Sequence, residues 1–85
     1  MPSKTVKVGS SVGLHARPAA VISEAAADLD AEVTLAVAGE EPVDAASSLL
    51  IMTLGASHGD EVVVESDDQS AVDTIAALVE KDLDA

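Results

Sequence analysis

The chain has 85 residues and contains no Phe, Tyr, Trp or Cys. That absence limits the fold more than any motif does. An aromatic side chain buries about 150–250 Å² and usually anchors a small core. Here the core must come from Val, Leu, Ile and sixteen alanines, which pack closely but supply little area each. A chain this short buries only about 60–65% of its unfolded surface. It therefore reads as one small domain, residues 1–85, in which every helix and sheet gives one apolar face to a shared core. Without cysteine there is neither a disulfide nor a thiolate metal site to reinforce it.

The apolar residues are spaced to meet that demand. "KTVKV" alternates, with Val6 and Val8 on one side and Lys7 on the other, and predicts a half-buried strand over 4–8. "RPAAVISEAAADL" predicts a helix over 17–29, with Pro18 in its first turn and Ile22, Ala25, Ala26 and Leu29 along one face. "AEVTLAV" alternates again over 31–37, with Val33, Leu35 and Val37 inward. A turn at "AGEEP" leads to a short extended piece at Val43. "SSLLIMTL" reads as a brief helix with Ser47 as N-cap and Gly55 as its stop, too short to stand without packing. After the turn "SHGD", "EVVVE" predicts a strand with Val62 and Val64 inward. "SAVDTIAALVEKDL" predicts a helix over 70–83 with Val72, Ile75, Val79 and Leu83 on its core face. The order βαββαβα, with polar-faced strands and apolar-striped helices, predicts a two-layer α+β domain: an antiparallel sheet covered by helices on one side.

Sixteen acidic residues against four basic ones give a net charge of −12. That balance argues against nucleic-acid binding. It also resembles the chemistry of halophilic proteins, in which concentrated salt screens self-repulsion. No apolar run approaches the ~20 residues of a membrane span, and "MPSKTVKV" lacks the apolar core of a signal peptide. A cytoplasmic protein, not inserted in membrane and monomeric by default, is expected.

Against this acidic background the only arginine, Arg17, stands two residues from His15 in "VGLHARPAAVI". Both lie where a helix begins. The unpaired N–H groups and the dipole of a helix start favour an anion. The same dipole works against a protonated ring and favours a nucleophilic imidazole. Arg17 offers phosphate oxygens a planar fork of donors. Gly13 permits a backbone turn that aims the ring outward. These parts suit a histidine nitrogen that accepts a phosphoryl group, a reaction that asks mainly for positioning and charge stabilisation. A turn histidine beside a surface arginine, without chemistry, is the plainer reading of the same residues.

"GLHARPAA", Gly13 to Ala20, resembles the active-site motif of HPr, the histidine-containing phosphocarrier family of the phosphoenolpyruvate-dependent sugar phosphotransferase system. The stretch "SLLIMTLGASHGDEVVVE" resembles its second signature, and chain length and element order fit as well. The resemblance implies an open-faced sandwich: a four-stranded antiparallel sheet with three helices on one face. It implies that His15 is phosphorylated at Nδ1 by phospho-Enzyme I and passes the group to the A component of a sugar permease. It implies that Arg17 stabilises the phosphoryl oxygens, that the backbone N–H groups of Ala16 and Arg17 hold them, and that Pro18 sets the helix start. No cofactor and no metal are implied. A dihydroxyacetone kinase is an alternative acceptor, and a regulatory relative without transfer an alternative role; such relatives usually lose the histidine, which this chain keeps.

The same resemblance makes Leu49 and Met52, with Ala20, the docking patch for partner proteins, while Leu50 and Ile51 are expected in the core. Ser47 aligns with a serine that a regulatory kinase phosphorylates in some bacterial relatives, but an extra residue in "GEEP" and the polar Ser48 favour a plain N-cap. Lysines that steer acidic partners in the family are absent: Glu24 and Ala27 stand in the first helix and Ala46 precedes Ser47. His58, in a turn, is expected to be an exposed turn residue. An acyl carrier protein, also small and acidic, requires an Asp before the attachment serine and a helical bundle; "ASSLL" lacks the Asp, and the alternating strands oppose a bundle.

Overall fold

Valines spaced two apart build a single antiparallel sheet. The computed structural model describes residues 2–11 and 13–81. Its elements run β1 (Ser3–Lys7), α1 (Ala16–Ala27), β2 (Val33–Val37), β3 (Val43–Asp44), α2 (Ser48–Thr53), β4 (Glu61–Ser66) and α3 (Gln69–Glu80). The strands are ordered β1-β4-β2-β3. Val6 pairs with Val62, and Val62 with Val37; Val64 pairs with Leu35, and Leu35 with Val43. Residues in register share a face of the sheet, so these rows form one apolar surface. Val6, Val33, Leu35, Val62 and Val64 are buried on it.

The helices close that surface. α3 packs on β1 and β4, α1 on α2 and α3, and α2 on β3. Ile22 of α1, Ile51 of α2, and Val72, Ile75 and Val79 of α3 complete the core. The alternate rows, carrying Thr5, Val63 and Ala36, stay exposed or half-buried on the uncovered face. This is an open-faced α+β sandwich, and its four-stranded sheet rules out the helical bundle of an acyl carrier protein.

Where the boundaries differ from expectation, a local partner decides. β2 begins at Val33 rather than residue 31 because β4 ends opposite it, at Ser66. α1 stops at Ala27; Asp28 closes it with N–H bonds to the Glu24 and Ala25 carbonyls, and Leu29 packs half-buried beyond the end. α3 begins one residue early because the Asp68 carboxylate caps it, accepting from the Ser70 N–H at 3.0 Å. Leu83 lies outside the described residues.

The expectation for Leu50 requires correction. It is 42% exposed, whereas Ile51 is fully buried. α2 has six residues, less than two turns, and at 3.6 residues per turn so short a helix offers the core one line of contact. Ile51 occupies it. Leu50 and Leu49 point outward, and Met52 is half-buried against the core.

Candidate functional site

The loop between β1 and α1 carries His15, and three backbone bonds fix it. Gly9 donates to the Val79 carbonyl at the end of α3 (3.0 Å). A Cβ on Gly9 would collide with the Glu80 carbonyl, so only glycine permits this approach. Gly13 donates back to the Ser10 carbonyl and Leu14 to the Ala56 carbonyl, each at 3.0 Å. Gly13 has φ +77°, and a Cβ there would strike that same Ala56 oxygen. Leu14 is buried beneath the loop.

The buried Leu14 forces its neighbour outward. His15 is exposed and is the N-cap of α1, with φ −89° and ψ −162°. Its carbonyl accepts the Ala19 N–H at 2.8 Å, while its ring makes no capping bond. A helix start leaves its first N–H groups without intrahelical partners. Pro18, third in the helix and buried, has no N–H to offer. The first-turn donors left are Ala16 and Arg17, both exposed, and among the described residues neither has a backbone acceptor. The Arg17 side chain likewise makes no ion pair or hydrogen bond among the described residues. The result is an open platform: an imidazole, two free amides and an exposed guanidinium within three consecutive residues. Such a surface suits a group that must be taken up and released, because it holds an anion without enclosing it.

A cleft of about 450 Å³ lies elsewhere, lined by Glu40, Glu41, Val43, Thr53 and Leu54. It shares no residue with this platform, and its carboxylates are unsuited to a phosphate. His58 is exposed in the turn 57–60, and among the described residues no three His, Cys, Asp or Glu side chains converge as metal ligands.

Ala20 is exposed on α1 and Leu49 is 71% exposed on α2, the helix packed against it; Met52 contributes only a half-buried edge. Leu50, expected in the core, adds exposed apolar surface instead. Ser47 caps α2, its Oγ accepting the Leu50 N–H at 3.3 Å. One polar residue near the platform escapes the reading of motifs. The Asp60 carboxylate accepts the Ser57 N–H at 2.9 Å. Its signal is the S-x-x-D spacing, which matches one half of a capping box, the acidic side chain reaching back to the amide three residues before.

The four-stranded open-faced sandwich, with His15 exposed at the start of α1, defines a small α+β domain. The family model described as "PTS HPr component phosphorylation site" matches residues 2–81. The phosphocarrier protein HPr of Streptomyces coelicolor is 41% identical over 87 residues, covering 99% of this chain and 94% of that protein. The phosphocarrier protein HPr of Haloferax volcanii is 42% identical over 80 residues, covering 89% of this chain and 90% of that protein. A crystal structure of the phosphocarrier protein HPr from Bacillus anthracis superposes with a TM-score of 0.84 at 30% identity, covering 92% of this chain and 95% of that one. The chain belongs to the HPr family, the phosphocarrier proteins of the phosphotransferase system.

Proposed function

We propose that this chain, acting as a single cytoplasmic domain and a monomer, carries a phosphoryl group on Nδ1 of His15. The donor is phospho-Enzyme I and the acceptor is the A component of a sugar permease. The observation that supports this is the placement of His15: an exposed N-cap ring, free of capping bonds, followed at once by the free amides of Ala16 and Arg17.

In the transfer, the Nδ1 lone pair attacks phosphorus as the P–N bond to the donor histidine breaks. The electron pair of that bond returns to the donor ring. The amides of Ala16 and Arg17 and the Arg17 guanidinium face the charge on the three transferring oxygens. Delivery to the permease component reverses these roles. Ser47 acts as a helix cap in this reading, and Ala20, Leu49 and Met52 supply the apolar contact with partners.

The test is incubation with labelled phosphoenolpyruvate and Enzyme I. Label that is acid-labile, base-stable and absent from His15→Ala supports the carrier. Wild-type protein that takes up no label overturns it.

A further inference from the structure

We propose that Asp60 is a positioning residue for the phosphoryl-transfer platform, acting through the Ala56 carbonyl on the loop that carries His15; this rests on the carrier reading above.

Among the described residues, neither the His15 ring nor the Arg17 side chain holds the loop in place. His15 makes no capping bond, and backbone bonds from Gly9, Gly13 and Leu14 fasten the loop. On the helix side the His15 carbonyl accepts the Ala19 N–H; on the loop side the last fastening before the ring is Leu14 N–H to the Ala56 carbonyl, one residue from His15. The position of that carbonyl therefore sets the height and angle at which the ring leaves the surface.

Ala56 is the residue before the turn Ser57–Asp60, and Asp60 closes that turn from both ends. Its Oδ2 accepts the Ser57 N–H at 2.9 Å, and its own N–H donates to the Ser57 carbonyl at 3.0 Å. Its carbonyl accepts the Val8 N–H at 2.9 Å, and Gly59, with φ +86°, returns a bond to the Val8 carbonyl at 2.9 Å. The turn is thus bolted to the end of β1, where the platform loop begins. Asp60 ties the loop's start, at Val8, to its far support, at Ala56. The backbone bonds alone close the turn; the carboxylate fixes the orientation of Ser57 and hence of the Ala56 peptide before it. Among the described residues no lysine or arginine is bonded to Asp60, so its role is orientation and not charge pairing.

Phosphoryl transfer responds steeply to alignment, a displacement of about 1 Å being able to cost 10²-fold in rate. Losing one orienting bond at one remove from the ring is expected to slow transfer by about 3- to 10-fold. Asn keeps a carbonyl oxygen where Oδ2 accepts, so Asp60→Asn restores the bond without the charge.

The experiment compares wild type, Asp60→Ala, Asp60→Asn and Asp68→Ala. Asp68 is the control: its carboxylate makes the same kind of side-chain-to-amide bond, at the start of α3. Transfer from phospho-Enzyme I is measured as kcat and KM, with the ring signals of His15 and the Leu14 amide recorded by NMR on unphosphorylated protein. We expect Asp60→Ala to lower kcat with KM unchanged and to move both NMR signals. We expect Asp60→Asn to restore them, and Asp68→Ala to lower thermal stability while leaving kcat and both signals as in wild type. Wild-type signals and kcat in Asp60→Ala overturn the proposal, as does an equal kcat loss in Asp68→Ala. A wild type that accepts no phosphoryl group refutes the carrier reading instead, and the NMR comparison still decides whether Asp60 positions the ring.

Discussion

Gly13 lies so close to the Ala56 carbonyl that no side chain fits between them, and that same carbonyl accepts the Leu14 N–H at 3.0 Å. One oxygen thus supports two successive residues of the loop, and His15 is the next. The platform is exposed, but its foundation is packed. Exposure of the ring follows from burial of Leu14, and burial of Leu14 follows from a glycine that lets two backbones touch.

Gly13→Ala is therefore expected to be costly. Alanine would have to adopt φ +77° and displace a carbonyl already engaged in a hydrogen bond. Strain of this type costs about 1–3 kcal/mol. Gly39→Ala is the comparison: φ is +85°, but a Cβ there meets nothing within 4 Å, leaving conformational strain alone. Urea denaturation should place Gly13→Ala below Gly39→Ala in stability, and only Gly13→Ala should also impair transfer. Equal losses would mean that the contact with Ala56 adds nothing.

Arg17→Ala is expected to leave the fold intact, because the side chain is exposed and unpaired among the described residues. Its effect belongs to the transition state. Loss of this one neighbouring cation should slow phosphoryl transfer by about 10- to 1000-fold, equivalent to about 1.4–4 kcal/mol. Circular dichroism and rapid-quench transfer assays separate the two. An unchanged rate would remove Arg17 from the mechanism.

The two leucines exposed on α2 lead to opposite expectations from Ile51. Leu49 is 71% exposed and Ile51 is fully buried. Leu49→Ala should leave thermal stability nearly unchanged and raise KM for Enzyme I, as expected of an apolar contact in a docking patch. Ile51→Ala should cost about 2–5 kcal/mol through the cavity it opens. A Leu49→Ala protein with wild-type KM would place the docking surface elsewhere.

The strands were legible because their alternation is clean: Val62 and Val64 could face only one way, and Leu35 between Thr34 and Ala36 left no other register. His15 at a helix start was legible because Pro18 and Gly13 bracket it with strong backbone preferences. Leu50 was misread because the unbroken apolar run Leu49–Met52 in so short a helix does not tell which of its residues meets the core. Asp68 was overlooked because Ser70, a good capping residue itself, lies two positions on. Gly9 was invisible for a different reason: its partner Val79 is distant in sequence, and only the closed fold brings them together. Asp60 carried a local signal, its three-residue spacing from Ser57, that was not read.

Salt should stabilise this protein. Every described carboxylate is exposed except the half-buried Glu65, and Lys7, opposite Glu61 on the edge of the sheet, is one of only four basic residues against a net charge of −12. Like charges on a small surface oppose compaction, and the unfolded chain relieves the repulsion by expanding. The Debye length falls from about 10 Å at 0.1 M to about 3 Å at 1 M, so neighbouring carboxylates lose most of their mutual repulsion within that range. Thermal unfolding in KCl should show the melting temperature climbing steeply below about 1 M and flattening above it. A continued linear rise beyond that concentration would indicate exclusion of salt from the protein surface as the cause. A melting temperature indifferent to KCl would show that the domain tolerates its own charge and would end the halophile reading.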